Sequence, residues 1–74
     1  MKYKEFLKWC NERACDGLWG ITCAMYCMEI MKHINRLPFW KREKKWQEIS
    51  ETVERKIVSP VNQRIKEVQK KEEQ

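Results

Sequence analysis

The stretch from Asn11 to Glu29, NERACDGLWGITCAMYCME, constrains this chain more than any other. It holds both glycines, three of the four cysteines and the most apolar run of the sequence. Asp16-Gly17 is a stop-and-turn signal: Gly17 can take a positive φ and end one helix, and Asp16 can cap the next. A connection this short makes the flanking helices antiparallel neighbours. The run that follows, Leu18 to Met31, has 11 apolar residues in 14, interrupted by Gly20, Thr22 and Glu29. It falls short of the roughly 20 residues of a spanning helix, so it reads as a buried helix of a bundle.

The rest of the chain arranges itself around that helix. Upstream, Tyr3, Phe6, Leu7, Cys10 and Ala14 form one helical stripe, which predicts a helix over Lys2 to Ala14 with Trp9 off the stripe. The central helix, about 18–36, carries two stripes. Cys23, Cys27, Ile30 and Ile34 make one; Ile21, Met25 and Met28 make the other, with Ala24 and Met31 between. A helix apolar on two sides sits between two others, so burial nearly all round is predicted. Lys32, Asn35 and Arg36 suit its last turn.

Pro38 marks the next boundary and fits the first position of a new helix. From Trp46 the apolar residues Ile49, Val53, Ile57, Val61, Ile65 and Val68 follow at spacings of 3, 4, 4, 4, 4 and 3. The stripe keeps phase through Pro60. That predicts one long helix kinked there, or two collinear helices with Ser59 capping the second. The architecture is therefore an all-α bundle of three helices, four if the last is divided at Pro60, forming one domain over 1–70 with a frayed polar tail at 71–74.

With 42% hydrophobic and 36% charged residues, the 74-residue chain fits a folded helical protein with a modest core. Lys2, Lys4, Glu5 and Lys8 break any apolar signal region, so a cytoplasmic protein with no membrane partner and reduced cysteines is expected. The formal charge of +5 permits polyanionic or acidic partners.

Chemistry is sparse. The cysteines, Cys10, Cys15, Cys23 and Cys27, are spaced C-x4-C-x7-C-x3-C. Cys23 and Cys27 share a helix face, and a hairpin could bring Cys10 opposite them, so a zinc or redox module is one alternative. The other is that Cys10, Cys23 and Cys27 are small core residues. His33, with Glu29 four residues before it, is the only histidine and reads as a surface residue near a helix end. No carboxylate pair in an apolar setting, phosphate loop or serine-nucleophile signature appears, so no enzyme and no cofactor is expected.

The second constellation is FWKREKKW, Phe39 to Trp46. Lys41, Arg42, Lys44 and Lys45 crowd the start of a helix, where the macrodipole favours acids. Local choices that oppose stability tend to mark function. A basic face beside Trp40 suits an acidic protein, a ribonucleoprotein or, as an alternative, nucleic acid bound directly, although Glu43, Glu48, Glu51 and Glu54 oppose a phosphate backbone tracking along the helix. The bland reading makes Phe39, Trp46 and Trp40 core anchors. Four tryptophans are also many for a small core, and Trp9, Trp19 and Trp40 are the candidates for an exposed partner or self-association patch.

The segments KYKEFLKWCN, ACDGLWG and PFWKREKKW together resemble small uncharacterised proteins of phages and mobile elements of Gram-positive bacteria. The resemblance implies a short, non-enzymatic protein that binds a host machine, such as a defence or transcription complex, possible modes including inhibition. It carries no site residues of its own. The leading expectation is thus a helical binding protein for a protein or ribonucleoprotein, using Trp40, Lys41, Arg42, Lys44, Lys45, Trp19 and Trp9.

Overall fold

A computed structural model describes residues 1–72, with side chains to Lys70. Three helical rods make up the fold: α1, Tyr3–Asp16; α2, Gly20–Asn35; and a third built from α3, Phe39–Val53, a π turn, Glu54–Val58, and α4, Ser59–Glu72. Among the described residues there is no strand. The third rod, roughly 50 Å by helical rise, sets the long axis of a molecule measuring 47 × 19 × 17 Å. Of the tail expected to fray over 71–74, residues 71 and 72 continue α4 to its end at Glu72, and 73–74 lie outside the described residues.

Gly17 ends α1 as its composition implies. Its φ is +69°, and its N–H donates to the Arg13 carbonyl at 2.7 Å. α1 runs two residues past Ala14 to Asp16 before it stops. Asp16 does not cap α2. Its Oδ1 accepts the Leu18 N–H at 2.9 Å, inside the turn, and its Oδ2 lies 3.0 Å from Arg13 Nε. Gly20, at φ +74°, supplies the second left-handed residue the turn requires, and α2 starts there with Trp19 ahead of it making no side-chain cap.

The core is an aromatic cluster at one end that passes into aliphatic packing at the other. Trp46 and Phe6, both fully buried, stack with centroids 4.5 Å apart, and Tyr3 lies 5.8 Å from Trp46. Cys10, Cys27, Ile34, Val53, Ile57, Val58 and Val61 complete the cluster. Such stacked and tilted pairs contribute about 0.5–1.5 kcal/mol each beyond their buried area.

Three expectations are corrected by this packing. First, Trp9 is buried and Ala14 is exposed. α1 packs on two elements at once, so its inward face widens toward Phe6 and Trp9. The Trp9 ring stacks on Phe6 at 6.3 Å, and its Nε1 donates to Asn62 Oδ1 on α4 at 3.0 Å. Second, α2 is not buried all round. Its Cys23, Cys27, Ile30 and Ile34 stripe faces the core, but Ile21, Met25 and Met28 are open to solvent. Both neighbouring rods lie on one side of it, and no described element covers the other. Third, Phe39 is no core anchor: it stands exposed at the end of the bundle.

The last rod keeps going through Pro60. Ser59 has helical dihedrals, φ −62° and ψ −47°, so it does not cap a separate helix. The widening comes just before the proline: the Ser59 N–H donates to the Glu54 carbonyl, five residues back. Proline lacks an N–H and crowds the carbonyl four residues earlier, here that of Lys56, and a wider turn relieves that crowding. The same turn lets the adjacent Ile57 and Val58 both point inward with Val61.

Candidate partner-binding surface

The first two turns of α3 hold most of the residues singled out for binding, and one of them, Arg42, has structural work, as does its neighbour Glu43. Arg42 closes the end of α2: its Nε donates to the Leu37 carbonyl at 2.9 Å and its Nη2 to the Asn35 carbonyl at 3.0 Å. A cation on the orphan carbonyls of a helix end is stabilising, so Arg42 does not oppose local electrostatics as its position in α3 suggests. Glu43 serves α1. Its Oε2 accepts the Tyr3 N–H at 3.0 Å, and its Oε1 accepts from Gln47 Nε2 at 2.8 Å. Trp46, three residues on, is sealed in the core, with Nε1 donating to the Met1 carbonyl at 2.8 Å.

The residues between these are left for other work. Phe39 and Trp40 are 76% and 67% exposed, and their rings meet edge to face with centroids 5.2 Å apart. Lys41 and Lys44 are exposed, and among the described residues neither has an ion-pair partner. Lys45 is half-buried, with Nζ 3.4 Å from Glu48 Oε2. Leu37, Lys41, Lys44, Lys45 and Glu48 line an open groove of about 270 Å³ on the same part of α3. Aromatic rings with adjacent cations on a shallow groove are the usual makings of an interface anchor.

The other two tryptophans do not join this surface. Trp9 is buried as described. Trp19 is half-buried and packs against the core at the start of α2, far along the bundle from Trp40. Sequence reasoning missed the largest apolar exposure, Ile21, Met25, Tyr26 and Met28 on α2. The signal was present as the second stripe, but it was assigned to a neighbour inside the chain.

The four cysteines are free thiols; Cys10 and Cys27 meet across α1 and α2, but the four do not gather at one site. Among the described residues, no group of three or more His, Cys, Asp or Glu side chains is placed to hold a metal ion. Cys10 and Cys27 are buried together where α1 crosses α2, Cys23 is half-buried and Cys15 is exposed. The Cys10 thiol is pushed well above its ordinary value, first by its hydrogen bond to Cys27 and then by burial. A thiol held protonated in this way is a poor nucleophile and a poor metal ligand. His33 and Glu29 are both exposed on α2.

Taken with the fold, this surface defines a small all-α three-rod bundle with an aromatic–basic corner at one end. No family model matches the chain, and no curated protein or solved structure matches it either. No helix is long and apolar enough to cross a membrane among the described residues.

Proposed function

We propose that the protein is a non-enzymatic helical binding protein whose contact surface is the corner formed by Phe39, Trp40, Lys41, Lys44 and Lys45. Its partner is an acidic surface of another protein or of a ribonucleoprotein. The observation that carries this is the division of labour in α3. Arg42, Glu43 and Trp46 are all committed to the fold, whereas Trp40, Lys41 and Lys44 are open to solvent, and neither lysine has an ion-pair partner among the described residues. An exposed Trp–Phe pair is unfavourable in water, and a covered one anchors an interface. The Lys41 and Lys44 cations supply steering and orientation toward an acidic partner.

The resemblance of the PFWKREKKW and ACDGLWG segments to small phage and mobile-element proteins supports a host machine as the partner, a defence or transcription complex, and inhibition as the mode of action. Glu48, which shares the groove, and Glu51 beyond it weigh against a phosphate backbone running along α3.

The test compares tagged wild-type protein with Trp40→Ala and with Lys41→Glu/Lys44→Glu, each captured from host lysate with and without nuclease. A specific protein bound by wild type, retained after nuclease and lost with both variants, supports the reading, provided circular dichroism shows the variants folded. Nucleic acid captured with no protein partner, or partners that bind the variants equally, overturn it.

A further inference from the structure

The exposed stripe of α2 is independent of the corner and calls for its own account. Ile21 is 82% exposed, Met25 64%, Met28 59% and the adjacent Tyr26 51%. Ile21, Met25 and Met28 fall at spacings of 4 and 3, on the side of α2 turned away from Cys27 and Ile34. The spacing is that of a helix-packing seam, and the seam has no helix on it. Shallow apolar grooves flank it. One, of about 370 Å³, runs between α1 and α2 and is lined by Leu7, Cys10, Trp19, Met28 and Met31 among others. The other, of about 290 Å³, lies between α2 and the π turn, beside Tyr26 and Ile57.

We infer that this seam is closed by a second copy of the chain, α2 against α2 in antiparallel orientation, with the two-fold axis passing near Met25. Two observations select that occupant. The stripe is self-complementary: with the axis just ahead of Met25, Ile21 lies over the partner's Met28 and the two Met25 side chains lie side by side across it, so each apolar side chain meets another. The charges agree as well. α2 has no acidic residue in its first turn and no side-chain cap at Trp19. The same two-fold sets the partner's Glu29 beside that start, where a carboxylate is favoured, and the partner's Lys32 toward the Asp16 turn.

Ile21, Met25 and Met28 present on the order of 100 Å² each, or about 300 Å² per copy, and the flanking Trp19, Glu29 and Lys32 supply the rest of the roughly 500 Å² a side that a specific interface of about 1,000 Å² in total needs.

The experiment is sedimentation equilibrium on the wild-type chain from about 5 to about 500 µM, a range that brackets micromolar association. The expected species is a dimer at twice the 9.2-kDa chain mass. Met25 is exposed in the single chain, so Met25→Lys and Met25→Glu leave the fold intact, which circular dichroism checks. Each alone sets like charges together across the axis and weakens the dimer at least tenfold. Mixed one to one, the two variants restore it, because residue 25 faces its own copy. Trp40→Ala leaves the dimer unchanged, which separates this interface from the proposed partner corner. A wild-type chain that stays monomeric throughout overturns the proposal. So does a dimer indifferent to Met25→Lys, or one that the mixed variants fail to rebuild.

Discussion

Two tryptophans six residues apart on α3 should respond to the same substitution to very different extents. Trp46 is fully buried, stacked on Phe6 at 4.5 Å and hydrogen-bonded through Nε1 to the Met1 carbonyl. Trp46→Phe keeps an aromatic ring in the cluster but removes the indole N–H and the second ring. The lost hydrogen bond is worth about 1 kcal/mol net. The missing ring atoms, equivalent to about two methylenes, add about 1.5 kcal/mol at ~0.8 kcal/mol each. The sum, about 2–3 kcal/mol, is large against the whole stability of about 4–11 kcal/mol that a chain of this length commands at 0.05–0.15 kcal/mol per residue. With a urea slope near 1 kcal/mol/M for so small a domain, the unfolding midpoint should fall by about 2–3 M. Trp40→Phe, at a side chain 67% exposed, should stay within about 0.5 kcal/mol of wild type. Circular dichroism at helical wavelengths reads both without relying on the tryptophans being altered. If Trp46→Phe unfolds within 0.5 M of wild type, or if Trp40→Phe falls as far, the assignment of one ring to the core and the other to the surface is wrong.

Gly17 and Gly20 both have positive φ, and a Cβ at either would meet no atom within 4 Å. Gly17→Ala and Gly20→Ala should therefore each cost only the left-handed backbone penalty, about 1–2 kcal/mol, and a neutral result in urea unfolding would show that the turn is not held as described. Titration with an aromatic disulfide reagent should show Cys15 reacting fast and Cys23 more slowly, with Cys10 and Cys27 reacting only after denaturation; fewer than four thiols in the unfolded chain would reveal a cross-link. The Tyr3 hydroxyl, which donates to Asn35 Oδ1 at 2.8 Å, is held above its ordinary value of 10.0 chiefly by burial. Because the folded value is the higher one, this stabilisation is complete below pH 10.0 and is lost as pH rises through the folded value. The stability difference between wild type and Tyr3→Phe should shrink or reverse above that pH, and a constant difference would contradict the shift.

Much of this fold was legible in the sequence, and the failures have a common physical cause. Spacing identifies which residues share a helix face, and it placed Phe6, Cys27, Ile34, Trp46, Val53 and Val61 inside. It does not say whether a neighbour exists to cover a face. The two stripes of α2 look alike on a helical wheel, yet one meets α1 and α3 and the other meets water. Trp9 failed for the converse reason. It lies off the narrow stripe, but α1 touches two rods, and a ring that size is drawn in with a partner for its N–H in Asn62. The π turn left a trace in the sequence: successive spacings of four from Ile49 to Ile65 outrun the 3.6-residue period, which a straight α-helix cannot keep on one face. Arg42 and Glu43 could not be separated from their cationic neighbours by sequence, because their roles depend on the ends of two other helices meeting α3.

The placement of the two unpartnered surfaces bears on how each can be tested. The corner lies at the carboxyl end of α2, where α3 begins, whereas Met25 lies ten residues earlier, about 15 Å away along the helix at 1.5 Å per residue. In an antiparallel α2 pair the two corners therefore point away from each other, from opposite ends, about 30 Å apart or more. Neither surface would cover the other, so substitutions in the two should combine without coupling when a single partner molecule is bound. An immobilised partner is different: a dimer can engage two sites, and its apparent affinity rises with site density. Met25→Lys should abolish that density dependence while leaving the solution affinity of one corner unchanged, and Trp40→Ala should weaken binding at every density. A Met25→Lys variant that loses affinity in solution would mean that the partner reads the α2 stripe itself, and the two surfaces would have to be treated as one.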